Sequence, residues 1–66
     1  MSFQENLIRA RKARGMTQEE LAARLSISRQ AVSKWETGTA DPSTSNLLAL
    51  AKLFGVRPEE LLQEAE

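Results

Sequence analysis

The stretch Thr17-Gln18-Glu19-Glu20-Leu21-Ala22-Ala23-Arg24-Leu25-Ser26-Ile27-Ser28-Arg29-Gln30-Ala31-Val32-Ser33-Lys34-Trp35-Glu36 contains two helix starts with almost no room between them. Thr17 and Glu20 have the spacing of a capping box, in which a hydroxyl and a carboxylate three residues on each accept from the other residue's amide. Leu21, Ala22 and Leu25 then share one apolar face, and the pattern stops near Arg24 or Leu25. Ser28, a good N-cap, opens the next helix about three residues later. Ile27 lies between the two and is apolar, so the joint itself is packed. A link this short forces the helices to cross steeply, and Ala22 supplies the small side chain that a close crossing needs.

The same signals recur on both sides. Upstream, Ser2 and Glu5 form another capping box, and Phe3, Leu7 and Ala10 share a stripe with Arg11 and Arg14. Gly15 fits the left-handed residue that ends a helix, with Met16 as the apolar contact after it. Downstream, the third helix runs through Val32 and Trp35 and stops near Gly38, and residues 37–42 are a loop by composition. Ser43 caps a fourth helix in which Leu47, Leu50, Ala51 and Phe54 are spaced i, i+3, i+4, i+7; Gly55 and Val56 close it. Pro58 suits the first turn of a last helix that packs through Leu61, with Leu62 beside it. Strand-like alternation is missing, so the expectation is an all-α chain of five short helices.

At 66 residues the chain has room for one small domain, here residues 1–66, with the paired-helix core at about 17–37. There is no cysteine for a disulfide or a thiolate metal site, and no histidine to act as base or ligand. No Gly-rich phosphate loop or convergent carboxylate pair is evident, so the expectation is a non-enzyme that needs no cofactor and no metal. No apolar run is long enough to span a membrane, and the start lacks the apolar segment of a signal peptide; a cytoplasmic domain is expected. Nine basic and nine acidic residues cancel. They are unevenly placed: residues 1–34 carry +4 and residues 35–66 carry −4. Such asymmetry hints that the basic half meets a polyanion.

The third helix sharpens that hint. At about 100° per residue from Ser28, Val32 falls near 40° and Trp35 near 340°, which defines the buried side. Arg29 near 100°, Ser33 near 140°, Gln30 near 200° and Lys34 near 240° look outward or sideways. The outward face therefore carries long hydrogen-bonding side chains and no carboxylate. Arg bridges two acceptors of guanine, Gln pairs with both polar atoms of adenine, and Ser takes either partner. A cation in the first turn, as Arg29 is, is mildly disfavoured by the helix dipole, so structure alone does not call for it.

These residues resemble the phage-repressor and Cro-like helix-turn-helix domains, also called the xenobiotic-response-element type. The resemblance runs through Thr17 to Ala22, Ile27 to Glu36, Gly38, Pro42, Leu50-Ala51 and Leu61, roughly residues 5–62. It implies a lambda-repressor-like fold of five helices with the third, about residues 28–36, in the DNA major groove. Arg29, Gln30, Ser33 and Lys34 would contact bases. Thr17, Gln18, Thr37, Gly38, Ser43 and Thr44 would contact the DNA backbone. The family often pairs an arginine late in the first helix with the glutamate ending the third, which corresponds here to Arg11 and Glu36. Two departures stand out. The turn position before Ile27 is often Gly in the family and is Ser26 here, and the loop after the third helix lacks the family's basic or amide side chains.

The expectation is thus a sequence-specific, repressor-like DNA-binding transcription regulator. It would bind a roughly palindromic double-stranded operator as a homodimer, since one such helix reads about half a site. Leu48 and Leu62, off the main stripe of the fourth and fifth helices, are the candidate dimer contacts. The alternative is a protein-interaction module of the coactivator or antitoxin type on the same fold.

Overall fold

Hydroxyl side chains open three of the helices. The computed structural model describes residues 3–63, which form α1 (Phe3–Ala13), α2 (Gln18–Leu25), α3 (Arg29–Thr37), α4 (Thr44–Phe54) and α5 (Pro58–Leu62). The expected Ser2 cap lies outside the described residues. The Thr17 hydroxyl accepts from the Glu20 amide at 3.0 Å while the Glu20 carboxylate accepts from the Thr17 amide at 2.8 Å, which completes the capping box. Ser28 and Ser43 accept from the amides of Ala31 and Asn46, each at 3.2 Å. α5 begins at Pro58 as expected, and the Glu60 carboxylate reaches back to accept from the Arg57 amide at 2.7 Å, a contact that the sequence reading did not include.

The α2–α3 joint turns on Ser26, whose φ of 58° makes it the one non-glycine residue in the left-handed region among those described. Its amide and that of Ile27 donate back to Ala23 and Ala22, so the chain reverses within the last turn of α2. Ala22 is buried at the crossing and Ile27 packs against the core, as the short link requires. A side chain at this φ costs about 1 kcal/mol, which is why glycine is the usual occupant of such turns.

Leu7, Leu21, Ala22, Val32, Trp35, Leu50, Ala51, Phe54 and Leu61 form the core, and it draws on every helix. α2 packs on α3 and α4, α1 packs on α3 and α5, and α4 packs on α5. Trp35 is only 4% exposed, so it is a packing residue and no stacking surface for a base. One detail of the stripe reading changes. Arg14 is exposed: its guanidinium lies over the Phe54 ring, 4.9 Å from the centroid, and donates to the Phe54 carbonyl. It therefore closes the C-terminal end of α4 from outside, where a cation also meets the negative end of the helix dipole. Of the two leucines on α5 only Leu61 packs inward; Leu62 is 53% exposed.

Ser26→Gly is expected to raise stability by about 0.5 kcal/mol, because relief of backbone strain outweighs the added freedom of the unfolded chain. Leu21→Ala, at a fully buried site, should lower it by about 2–5 kcal/mol. Urea titration followed by far-ultraviolet circular dichroism checks both; an unchanged or lower midpoint for Ser26→Gly would contradict the strain assigned to the turn.

Candidate nucleic-acid interface

Helix α3 contains one acidic residue, Glu36, and the fold turns it inward. Its side chain is 4% exposed and that of Arg11 is 12% exposed. Arg11 Nε donates to Glu36 Oε2 at 2.7 Å and Nη2 donates to Oε1 at 3.1 Å, so the pair is bidentate. Arg11 Nη1 donates to the Met16 carbonyl at 2.7 Å, and Gln18 Nε2 donates to Glu36 Oε1 at 2.9 Å. A charge pair taken out of water stabilises a fold only when its remaining donors and acceptors are met. Here they are, and the result ties α1, the turn after it, α2 and α3 to one carboxylate.

With Glu36 withdrawn, the outer side of α3 has no negative charge. Arg29, Gln30 and Lys34 are exposed and Ser33 is half-buried, while Val32 and Trp35 face the core. All four residues expected to meet bases thus lie clear of the interior, on a helix whose opposite side is locked. Among the described residues, Arg29 makes one polar side-chain contact, from Nη1 to Gln18 Oε1 at 3.5 Å.

The residues expected at the DNA backbone fall into two groups. Beside α3, Thr17 and Gln18 begin α2, whose opening amides cannot be satisfied within the helix. Gln18 is half-buried and its carboxamide is already engaged on both sides, by Glu36 and by Arg29. Ser43 and Thr44 begin α4 in the same way, both exposed. Between these, the Thr37 hydroxyl donates to the Lys34 carbonyl at 3.2 Å and lies 2.9 Å from the Thr39 hydroxyl. Gly38 ends α3: its amide turns back to Lys34 and Trp35 as the C-cap, and the Thr39 and Ala40 amides also go to the Lys34 carbonyl. What glycine supplies is conformation and clearance: φ is 80°, and a Cβ there would stand 3.0 Å from Gln4 Nε2 of α1.

Sequence reasoning missed two anchors of this frame. Asn6 Nδ2 donates to the carbonyls of Leu61 at 2.8 Å and Gln63 at 2.7 Å, so α1 caps the end of α5. Asn6 is a polar residue beside the Leu7 stripe, and its partners lie more than fifty positions away, beyond any local signal. The second is the inward turn of Gln18, for which the i, i+3 periodicity of α2 gives no cue.

Comparison with known proteins adds to this geometry. A family model described as helix-turn-helix matches residues 7–61, which include α2, α3 and α4 entire. The chain is 42% identical over 66 residues to the HTH-type transcriptional activator BcrR of Enterococcus faecalis, covering all of this chain and 32% of that one. It is 38% identical over 66 residues to the HTH-type transcriptional regulator ImmR of Bacillus subtilis, again over its whole length and 52% of the relative. The chain thus spans less than two thirds of these curated relatives. Among solved structures, the P22 c2 repressor in complex with a synthetic operator superposes with a TM-score of 0.90 at 32% identity, covering 96% of each chain.

Arg11→Met leaves the Glu36 carboxylate buried without its cation and is expected to lower stability by about 3–5 kcal/mol, whereas Arg11→Met with Glu36→Leu should recover most of that loss. Denaturant unfolding of the single and double variants checks this. Equal stability of Arg11→Met and the parent chain would show that the pair does not hold the three helices.

Proposed function

Because the chain belongs to the helix-turn-helix family of phage-repressor type, we propose that it is the DNA-binding domain of a transcription regulator. The domain comprises residues 1–66 with its core at about 17–37. In this reading α3 lies in the major groove, so that the exposed side chains nearest its start meet base edges. Arg29 bridges O6 and N7 of a guanine, Gln30 pairs with N6 and N7 of an adenine, and Ser33 and Lys34 take the flanking positions. Thr17 and Gln18 with the opening amides of α2, and Thr37, Ser43 and Thr44 with those of α4, lie against phosphates on either side. Such contacts set register and orientation; the α3 side chains carry the sequence information.

The observation that carries this reading is the inward turn of Glu36. It leaves a helix face of donors and hydroxyls that a polyanion meets without repulsion. Glu19, next to Gln18, and Asp41, in the loop between α3 and α4, are both exposed and reduce the local positive field, so a single domain binds modestly. Two copies on a two-fold operator supply the rest. Leu48 and Leu62, 51% and 53% exposed on α4 and α5, form the contact between copies. The domain acts in the cytoplasm by occupying its operator in the manner of a repressor, with no reaction to catalyse and no cofactor or metal to bind.

Arg29→Ala and Gln30→Ala are each expected to cost about 1–3 kcal/mol of discrimination at one base pair while the protein stays folded. Affinity should fall steeply with added salt, because binding releases counterions from the neutralised phosphates. Fluorescence anisotropy with labelled duplexes measures both. Variants that bind every duplex as the parent does, with a salt-independent affinity, would favour a protein partner on α3. Leu48→Glu with Leu62→Glu should leave the protein monomeric on operator in sedimentation velocity; an unchanged two-to-one complex would move the dimer surface elsewhere.

A further inference from the structure

We propose that Gln4 of α1 is a DNA-backbone contact: seated over Gly38 at the end of α3, its carboxamide gives a phosphate the hydrogen-bond donor that the following loop lacks. The proposal rests on the reading that α3 lies in the major groove with Thr37 beside a phosphate. A phosphate oxygen only accepts, so each group that holds it must bring a proton. The loop after α3 has few to offer. The amides of Gly38, Thr39 and Ala40 all turn back to carbonyls of α3. The Thr37 hydroxyl donates to the Lys34 carbonyl at 3.2 Å. A hydroxyl has one proton, so across the 2.9 Å between Thr37 and Thr39 it is Thr39 that donates. Both threonines are therefore left with lone pairs alone, and residues 37–41 contain no lysine, arginine, asparagine or glutamine.

The fold brings a donor to this loop from α1. A Cβ on Gly38 would stand 3.0 Å from Gln4 Nε2, 3.5 Å from its Cδ and 3.6 Å from its Cγ, so the end of the side chain lies over the bare face of the glycine. Gln4 is half-buried, and its carboxamide has no hydrogen-bond partner among the described residues, although none of its polar atoms is sealed from water. Such a group is held by packing and keeps both N–H protons for a ligand. Phe3, next to it, packs against the core and fixes the start of α1. Glutamine carries no charge, so the contact adds nothing to counterion release. It reads no base either; it sets the register and tilt of α3 on the duplex.

The test measures the parent chain, Gln4→Ala and Gln4→Glu on a duplex enriched from a random pool, by anisotropy and by ethylation interference, after circular dichroism has shown that the variants fold. Alanine is a strong helix former, and glutamate keeps the shape of glutamine in a first turn that favours an anion, so neither strains α1. Gln4→Ala is expected to bind about three- to tenfold more weakly, with every base preference kept. Gln4→Glu should bind more weakly still, because it sets a carboxylate against the phosphate. One phosphate whose ethylation blocks the parent should no longer matter to Gln4→Ala. Gln4→Glu binding as well as the parent would overturn the proposal and leave Gln4 a spacer over Gly38; an unchanged set of interfering phosphates for Gln4→Ala would do the same. If the parent itself binds no duplex, the DNA reading falls and this contact with it, whereas a chain that binds and ignores both substitutions defeats the contact alone.

Discussion

The bidentate pair between Arg11 and Glu36 is the constraint from which the rest of the molecule follows. A buried carboxylate is costly unless every lone pair is met, and this one is met from two helices at once. Since the arginine sits on α1, the carboxylate on α3 and the amide on α2, their relative angles cannot drift without exposing an unpaired charge. Hydrophobic packing around Leu7, Leu21, Val32 and Leu50 supplies the bulk of the stabilisation but tolerates small rotations more easily than a two-point ion pair does. The pair therefore sets the pose of α3. By withdrawing the one acid on that helix, it also decides the charge of the opposite face.

The turn before α3 serves the same end at some local expense. Ser26 accepts a left-handed backbone so that α2 and α3 can cross where Ala22 is small enough to let them. A longer loop would avoid that strain but would let the start of α3 move relative to the start of α2. Their closeness is what allows Gln18 and Arg29 to touch.

How much of this was legible depends on the range of each interaction. Local chemistry was read correctly: the caps at Thr17, Ser28 and Ser43, the closing glycines at 15 and 55, the end of α3 near Gly38, and the inward direction of Val32 and Trp35. Each is decided within about one turn of helix, where spacing carries the information. Arg14 was placed on the buried stripe because periodicity cannot distinguish a side chain that enters the core from one that folds over its rim onto Phe54. The glycine signal that ends α3 also commits the Gly38 amide to the cap. Asn6 was not singled out because its carbonyl partners at Leu61 and Gln63 are remote in sequence. The Arg11–Glu36 pair came from resemblance; nothing in spacing alone joins two residues twenty-five positions apart.

Arg29, Gln30, Ser33 and Lys34 are legible as a face and not as a code, since exposure states what is free to bind and not which base it meets. Selection of bound duplexes from a random pool addresses that directly. The account predicts enrichment of a two-fold symmetric sequence whose half-sites are centred about one helical turn, roughly 10 base pairs, apart, each holding a guanine next to an adenine. A pool that emerges with no enriched sequence, at a protein concentration and low salt where the chain binds duplex at all, would contradict the assignment of α3 as the element that reads DNA.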